Sequence, residues 1–146
     1  MVDWQSDLAQ FFQAKDQKQK DDDEKLSDTK LRAAEFFRSV AVPAFEAVKV
    51  ELEKYGRDVR IGSSSDWASM SISFKGQPEL EYTLKVHISP GRAMPYPETK
   101  YRDRSDGKTY RAEGFLKGGS DDSIDTITKD DVIRHLLADY KSHVER

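Results

Sequence analysis

The residue types best suited to contact a ligand are concentrated between positions 92 and 117. Arginines and tyrosines are interspersed there, and the residues that we select as a candidate binding site are Tyr96, Tyr101, Arg102, Arg104, Tyr110 and Arg111. Cationic side chains neutralise phosphates and tyrosine rings stack on unpaired bases, a combination typical of single-strand nucleic-acid binding. Acidic residues interrupt the stretch at positions 98, 103, 106 and 113. A solvated loop beside an edge strand would have the same composition.

The histidines form no recognisable catalytic or metal-binding motif. His135 and His143 lie off the apolar stripe of a predicted helix, too far apart to be ligands on adjacent turns. His87 falls on the polar side of a predicted strand, where it could join Arg111 and Glu113 in general acid–base chemistry. The chain has no cysteine, and its acidic loop at 121–125 lacks the calcium-loop pattern. We therefore predict no metal and no cofactor, and we rank an enzyme third among the functions.

A different kind of surface is predicted at the N-terminus. Trp4, Leu8, Phe11 and Phe12 recur at helical spacing and give a short aromatic stripe on a polar helix. The charged tract at 18–25 that follows is typical of a solvated linker or a frayed helix, although it could also lie within a longer helix. We therefore divide the chain into an appendage at 1–25 and one α+β domain at 26–146. The aromatic stripe needs a cover, which is either the main domain or a second copy of the chain.

Composition indicates one small domain with its charge spread over the surface. The chain has 146 residues, of which 36% are hydrophobic and 35% charged, and its formal net charge is -3. The first residues lack the basic and then apolar order of a signal peptide, and no apolar run is long enough to cross a bilayer. We expect a cytoplasmic protein without membrane contact.

Two helices are predicted within the domain at 26–146. The first is capped by Ser27 or Asp28, runs to Tyr55, and is kinked or broken at Pro43. The second begins after Thr128, which forms a capping box with Asp131. Both carry an apolar stripe that is expected to cover one face of a sheet.

Alternating residues predict the sheet itself. Strands are expected at 57–63, at about 69–74, at 80–89 and at 109–116, with Lys75 to Pro78 as the turn of the central hairpin. The residues between 89 and 108 include several prolines and glycines, show no periodicity, and are predicted to lack regular structure. The fold class is therefore α+β: a four-stranded antiparallel meander packed on one face by a Pro43-kinked helix and a C-terminal helix, with an N-terminal helical appendage.

The open face of this sheet is a further candidate surface. Ser69, Ser71 and Ser73 are small and would lie beside Thr83, Lys85 and His87, so these residues could line a shallow polar trough.

The leading functional hypothesis is a small non-enzymatic adaptor that acts through protein–protein contacts as a homodimer. Its self-association residues are Trp4, Leu8, Phe11 and Phe12. The first alternative is a nucleic-acid-binding module that uses the 92–117 region, and the second is an enzyme whose site is assembled from strand residues.

Overall fold

Three α-helices, one π-helical turn and five strands make up the described part of the chain. A computed structural model describes residues 3–103 and 105–144. The helical elements are α1 (Trp4–Phe36), a π-helical turn (Phe37–Ala41), α2 (Val42–Glu53) and α3 (Lys129–Val144). The strands are β1 (Arg57–Ser63), β2 (Ala68–Phe74), β3 (Gln77–Ser89), β4 (Arg92–Arg102) and β5 (Thr109–Glu113). None of the described helices combines the length and the hydrophobicity that crossing a bilayer requires.

The first helix is longer than predicted because the charged tract at 18–25 is helical. Asp3 caps its N-terminus by accepting a hydrogen bond from the Gln5 N–H. Side-chain hydrogen bonds one turn apart, from Gln17 to Asp21 and from Gln19 to Asp23, support the tract. The expectation that Ser27 or Asp28 starts a new helix is therefore wrong, since both lie inside α1.

Pro43 disturbs the helix as predicted, and the disturbance takes the form of a π-helical turn. Proline has no N–H to bond to the carbonyl four residues back, and its ring crowds that carbonyl. Here the residues just before it widen into the π turn at Phe37–Ala41, where the Val42 N–H bonds to the Phe37 carbonyl. The chain then resumes as α2 with Pro43 in its first turn.

The sheet is an antiparallel meander in the order β1-β2-β3-β4-β5. It has five strands where four were predicted, because β4 occupies part of the stretch expected to lack regular structure. The turn between β2 and β3 is tighter than predicted, as Lys75 and Gly76 alone connect the strands. Both have positive φ angles, 52° and 78°, which suits a two-residue hairpin turn.

β4 was not predicted because it contains two prolines, Pro95 and Pro97, both of which are buried. The carbonyl of Pro97 accepts from the Gly114 N–H, and that of Ala93 accepts from the Ile124 N–H. Alternate residues of a strand point their backbone groups to the same side, so Pro95 and Pro97 both direct their nitrogens away from β3. Proline therefore removes no hydrogen bond from the β3–β4 ladder.

The core lies between one face of the sheet and the helices. Phe45 from α2 packs edge-to-face on Tyr82 from β3, with ring centroids 5.9 Å apart. Val132 and Leu136 from α3 are fully buried in the same cluster. The predicted capping box of α3 is confirmed: the Thr128 N–H bonds to the Asp131 carboxylate, and the Asp131 N–H bonds to the Thr128 hydroxyl.

Candidate functional site

The aromatic stripe of α1 is exposed along its whole length. Every residue from 3 to 21 is exposed. Trp4 retains 71% of its accessible surface, Leu8 48%, Phe11 62% and Phe12 49%. Phe11 and Phe12 contact each other edge-to-face, with centroids 5.3 Å apart. At 1.5 Å per residue, the segment at 3–25 is about 35 Å long; we call it the arm and the rest of the protein the body.

The stripe of the arm lies on the side of α1 that faces the body. Steps of three and four residues run from Trp4 through Leu8, Phe11, Lys15, Lys18 and Asp22 to Leu26, Thr29, Ala33 and Phe36. Thr29, Ala33 and Phe36, at the end of this seam, are buried against the body. The seam is therefore one continuous surface, covered at its C-terminal end and open at its N-terminal end.

Thr29 fixes the point where the arm leaves the body. Its hydroxyl donates to the Lys25 carbonyl at 2.6 Å and accepts from the Gly91 N–H at 2.9 Å. Gly91, with a φ of 78°, lies in the turn between β3 and β4. A fully buried hydroxyl with both roles satisfied holds this turn against the helix.

The predicted binding cluster at 92–117 is divided between the two faces of the sheet. Tyr96, Arg102 and Arg111 lie on the open face, because they alternate with residues that point toward the helices. Tyr101 and Tyr110 lie on the opposite face, where Tyr101 stacks on His143 of α3 with ring centroids 3.9 Å apart. Arg104 is outside the described residues. The five described residues of the cluster therefore do not form one continuous site.

A charged network occupies the open face at Glu98. Its carboxylate accepts from Lys85 Nζ at 2.6 Å and pairs with Arg111 Nε at 3.1 Å. The hydrogen bond from Lys85, with added attraction from Lys85 and Arg111, lowers the pKa of Glu98 below its ordinary value. Two of the cations on this face are thus already paired with a protein carboxylate.

The open face also contains a cleft of about 510 Å³. Trp67 and Tyr96 stand on either side, Ser69 and Thr83 lie between them, and Lys85 is in the same lining. Three residues of the predicted trough are present here, while Ser71 and Ser73 line a separate cleft of about 570 Å³ toward the start of β3. Trp67 was not among the predicted site residues. A Cβ at Gly62 would lie 3.5 Å from the Trp67 ring, an ordinary van der Waals distance, so nothing in the sequence near these two residues signals the cleft.

The residues considered for acid–base chemistry are far apart. His87 pairs with Met94 in the strand register, whereas Arg111 belongs to the row of Glu81 and Lys100. Six residues along β3 separate these rows, a distance of about 20 Å. His87 instead stacks on Tyr96, with centroids 4.2 Å apart and an interplanar angle of 11°. This trio does not form a catalytic site.

The other two histidines, His135 and His143, both contact tyrosines of the sheet and so lie on the packed side of α3. His135 Nδ1 and the hydroxyl of the buried Tyr82 are 2.8 Å apart and share a hydrogen bond. His143 covers Tyr101. Both positions correct the expectation that these side chains lie off the packing surface. Within residues 3–103 and 105–144, no group of three or more histidine, aspartate or glutamate side chains is placed to hold a metal ion.

One further polar cluster links the sheet to α3. Arg57 Nε donates to Glu79 at 3.2 Å and to the Tyr140 hydroxyl at 3.0 Å, and that hydroxyl donates to Glu79 at 2.7 Å. Burial and the neighbouring Glu79 raise the pKa of Tyr140 to about 12. The Arg57 guanidinium also lies 4.0 Å from the centroid of the Phe74 ring. Each member bonds to another member, so the cluster joins β1, β3 and α3 structurally.

Comparisons with known proteins found no match to a protein-family model, to a curated protein or to a solved structure. The candidate surfaces therefore rest on geometry alone.

Proposed function

We propose that the protein is a non-enzymatic binding module that acts through protein–protein contacts and associates with itself through the arm. The observation that carries this proposal is the exposure of Trp4, Leu8, Phe11 and Phe12 on one side of a helix that projects from the body. Large apolar side chains grouped on a surface are typical of an interaction site. Tryptophan and other aromatic residues also supply much of the binding energy in protein interfaces.

The helix itself supports the same proposal. A solvent-exposed helix is marginally stable without tertiary contacts. The arm nevertheless extends for more than five turns on the N-terminal side of Leu26. Leu26 is the first apolar residue of the seam that is partly buried. A partner that covers the stripe would stabilise both the side chains and the helix.

Removal of the stripe tests the proposal. Light scattering of the full chain is expected to give about twice the 16.7 kDa of one copy at high concentration. Serine at positions 4, 8, 11 and 12 is expected to yield a monomer with unchanged near-ultraviolet circular dichroism from the body tyrosines. Gln10 and Gln13 lie on the other side of the helix, and their replacement by serine serves as the control. A full chain that stays monomeric at every concentration would exclude self-association.

The open face of the sheet supports a second candidate, nucleic-acid binding. Trp67 and Tyr96 border one cleft, so two aromatic rings lie on this face, while the cation in the same lining, Lys85, is already paired with Glu98. Arg60 and Lys100 lie on the same face and make no ion pair within the described part of the chain.

Salt dependence tests this second candidate. Binding of a fluorescent single-stranded oligonucleotide is expected to weaken steeply with salt and to weaken again when Arg60 and Lys100 become alanine. Lys54, an exposed residue just beyond α2, provides the control substitution to alanine. Absence of binding at low salt would exclude nucleic acid as the ligand.

A further inference from the structure

We propose that the arm pairs with the arm of a second copy in the antiparallel direction, with the two-fold axis between positions 9 and 10. This inference rests on the proposed self-association and adds its geometry. Leu8 of each copy would then contact Phe11 of the other, and Trp4 would contact Lys15 of the other. Such layers, in which the two seam positions of one helix face the reverse pair on its partner, are typical of antiparallel helix pairs.

The position of the body excludes the parallel arrangement. The seam that carries the aromatic stripe is the same seam that is buried against the body at Thr29, Ala33 and Phe36. In a parallel pair the two seams face each other along their whole length, so both bodies would occupy the same space between the helices. In an antiparallel pair the bodies are at opposite ends.

The charges on the seam favour the same direction. Lys15 and Lys18 follow the aromatic stripe on the seam. A parallel pair would place Lys15 against Lys15 and Lys18 against Lys18, and like charges at facing positions are unfavourable. The antiparallel pair places Lys15 over the Trp4 indole of the other copy, where a cation is attracted to the ring face.

This register also accounts for all four apolar side chains of the arm. Leu8 and Phe11 form the two central layers, and Trp4 closes each end. Phe12, which contacts Phe11 edge-to-face, lies at the flank of the seam beside Gln5 of the other copy. The overlap spans positions 4 to 15 and ends well before Leu26, so the arms pair without touching either body.

Distances between spin labels test the direction. The chain has no cysteine, so a single cysteine at Lys20 or at Gln10 labels one site per copy. Both positions lie on the side of the helix that faces away from the partner, so the lateral separation of the labels is similar at each. The antiparallel pair adds an axial offset of about 30 Å between the labels at position 20 and almost none at position 10, so the distance at position 20 is expected to be clearly the longer of the two. Equal distances at the two positions, as a parallel pair would give, would overturn the antiparallel inference while leaving self-association intact. A monomer, with no intermolecular distance at either position, would overturn both.

Charge reversal at Lys15 tests the register. The substitution Lys15→Glu removes the cation over Trp4 and is expected to weaken the dimer about tenfold in sedimentation equilibrium. Lys20→Glu makes the same change of charge on the other side of the helix and is expected to leave the dimer nearly unchanged. Equal effects of the two substitutions would contradict contact between Lys15 and Trp4, even if the labels report an antiparallel pair.

Discussion

The two ends of α1 obey the same residue spacing and have opposite environments. Ala33 and Phe36 are buried, whereas Trp4 and Phe11, on the same side of the same helix, are among the most exposed apolar residues of the protein. The spacing of apolar residues therefore determines which side of a helix will be covered, but not whether anything covers it. What distinguishes the two ends is the presence of the sheet beneath one of them.

The largest difference between the two regions is expected when one phenylalanine in each is replaced by alanine. Phe45→Ala removes a fully buried ring from the body and is expected to lower the free energy of unfolding by about 3–5 kcal/mol, because it leaves a cavity beside Tyr82. Phe11→Ala in the arm is expected to change it by less than about 0.5 kcal/mol under conditions where the protein is monomeric. Urea unfolding followed by fluorescence measures both. Similar losses for the two variants would show that the arm is packed in solution.

An intermediate effect is expected where the arm joins the body. Thr29→Val keeps the side-chain shape but removes the hydroxyl that accepts from Gly91, leaving a buried N–H without a partner. The expected loss is about 1–3 kcal/mol in urea unfolding. Faster hydrogen exchange should also appear at Gly91. The nearby exposed Ser27→Ala serves as the control and is expected to have almost no effect, so equal losses would argue against the Thr29 contact.

The smallest effect concerns the loss of folding stability at acid pH, which is expected to arise in the body and not in the arm. The Lys85 hydrogen bond lowers the pKa of Glu98, so the folded state favours its ionised form. Its contribution is present above the ordinary glutamate pKa and is lost as the pH falls through the lowered value. Glu98→Gln is therefore expected to lower stability by about 1 kcal/mol at pH 7 and to reduce the further loss between pH 5 and pH 3.

Urea unfolding at several pH values measures this difference. A variant without residues 1–25 should keep the same pH dependence as the full chain, because the network of Lys85, Glu98 and Arg111 lies entirely on the sheet. A flatter profile in that variant would assign part of the acid sensitivity to the arm.

The sheet and the C-terminal helix were largely predictable because their residues alternate or repeat at a regular period. The strand at Arg57–Ser63 and the capping box at Thr128 have the predicted positions. The strand register and the additional strand, β4, were not predictable in the same way. Whether Pro95 and Pro97 interrupt a ladder depends on which side of the strand their nitrogens face, and composition does not record that side.

The candidate surfaces were predictable to different degrees. The aromatic stripe of the arm follows from spacing alone, although its exposure does not. The basic and aromatic residues at 92–117 were grouped because they are close in sequence, but a strand sends neighbours to opposite faces, so Tyr96 and Tyr101 are separated. Glu98 was counted as a charge that weakens a cationic field, and the structure makes it the partner of Lys85 and Arg111.

The prolines of β4 have a consequence for how copies of this protein can assemble. An unpaired strand edge can recruit a strand from another molecule and so begin a fibril. β5 covers the second half of β4, and in the first half Pro95 and Pro97 offer no N–H to an incoming strand. An incoming strand therefore finds no ladder of N–H donors along the first half of β4, and extension of the sheet by another molecule is confined to the outer edges of the terminal strands β1 and β5.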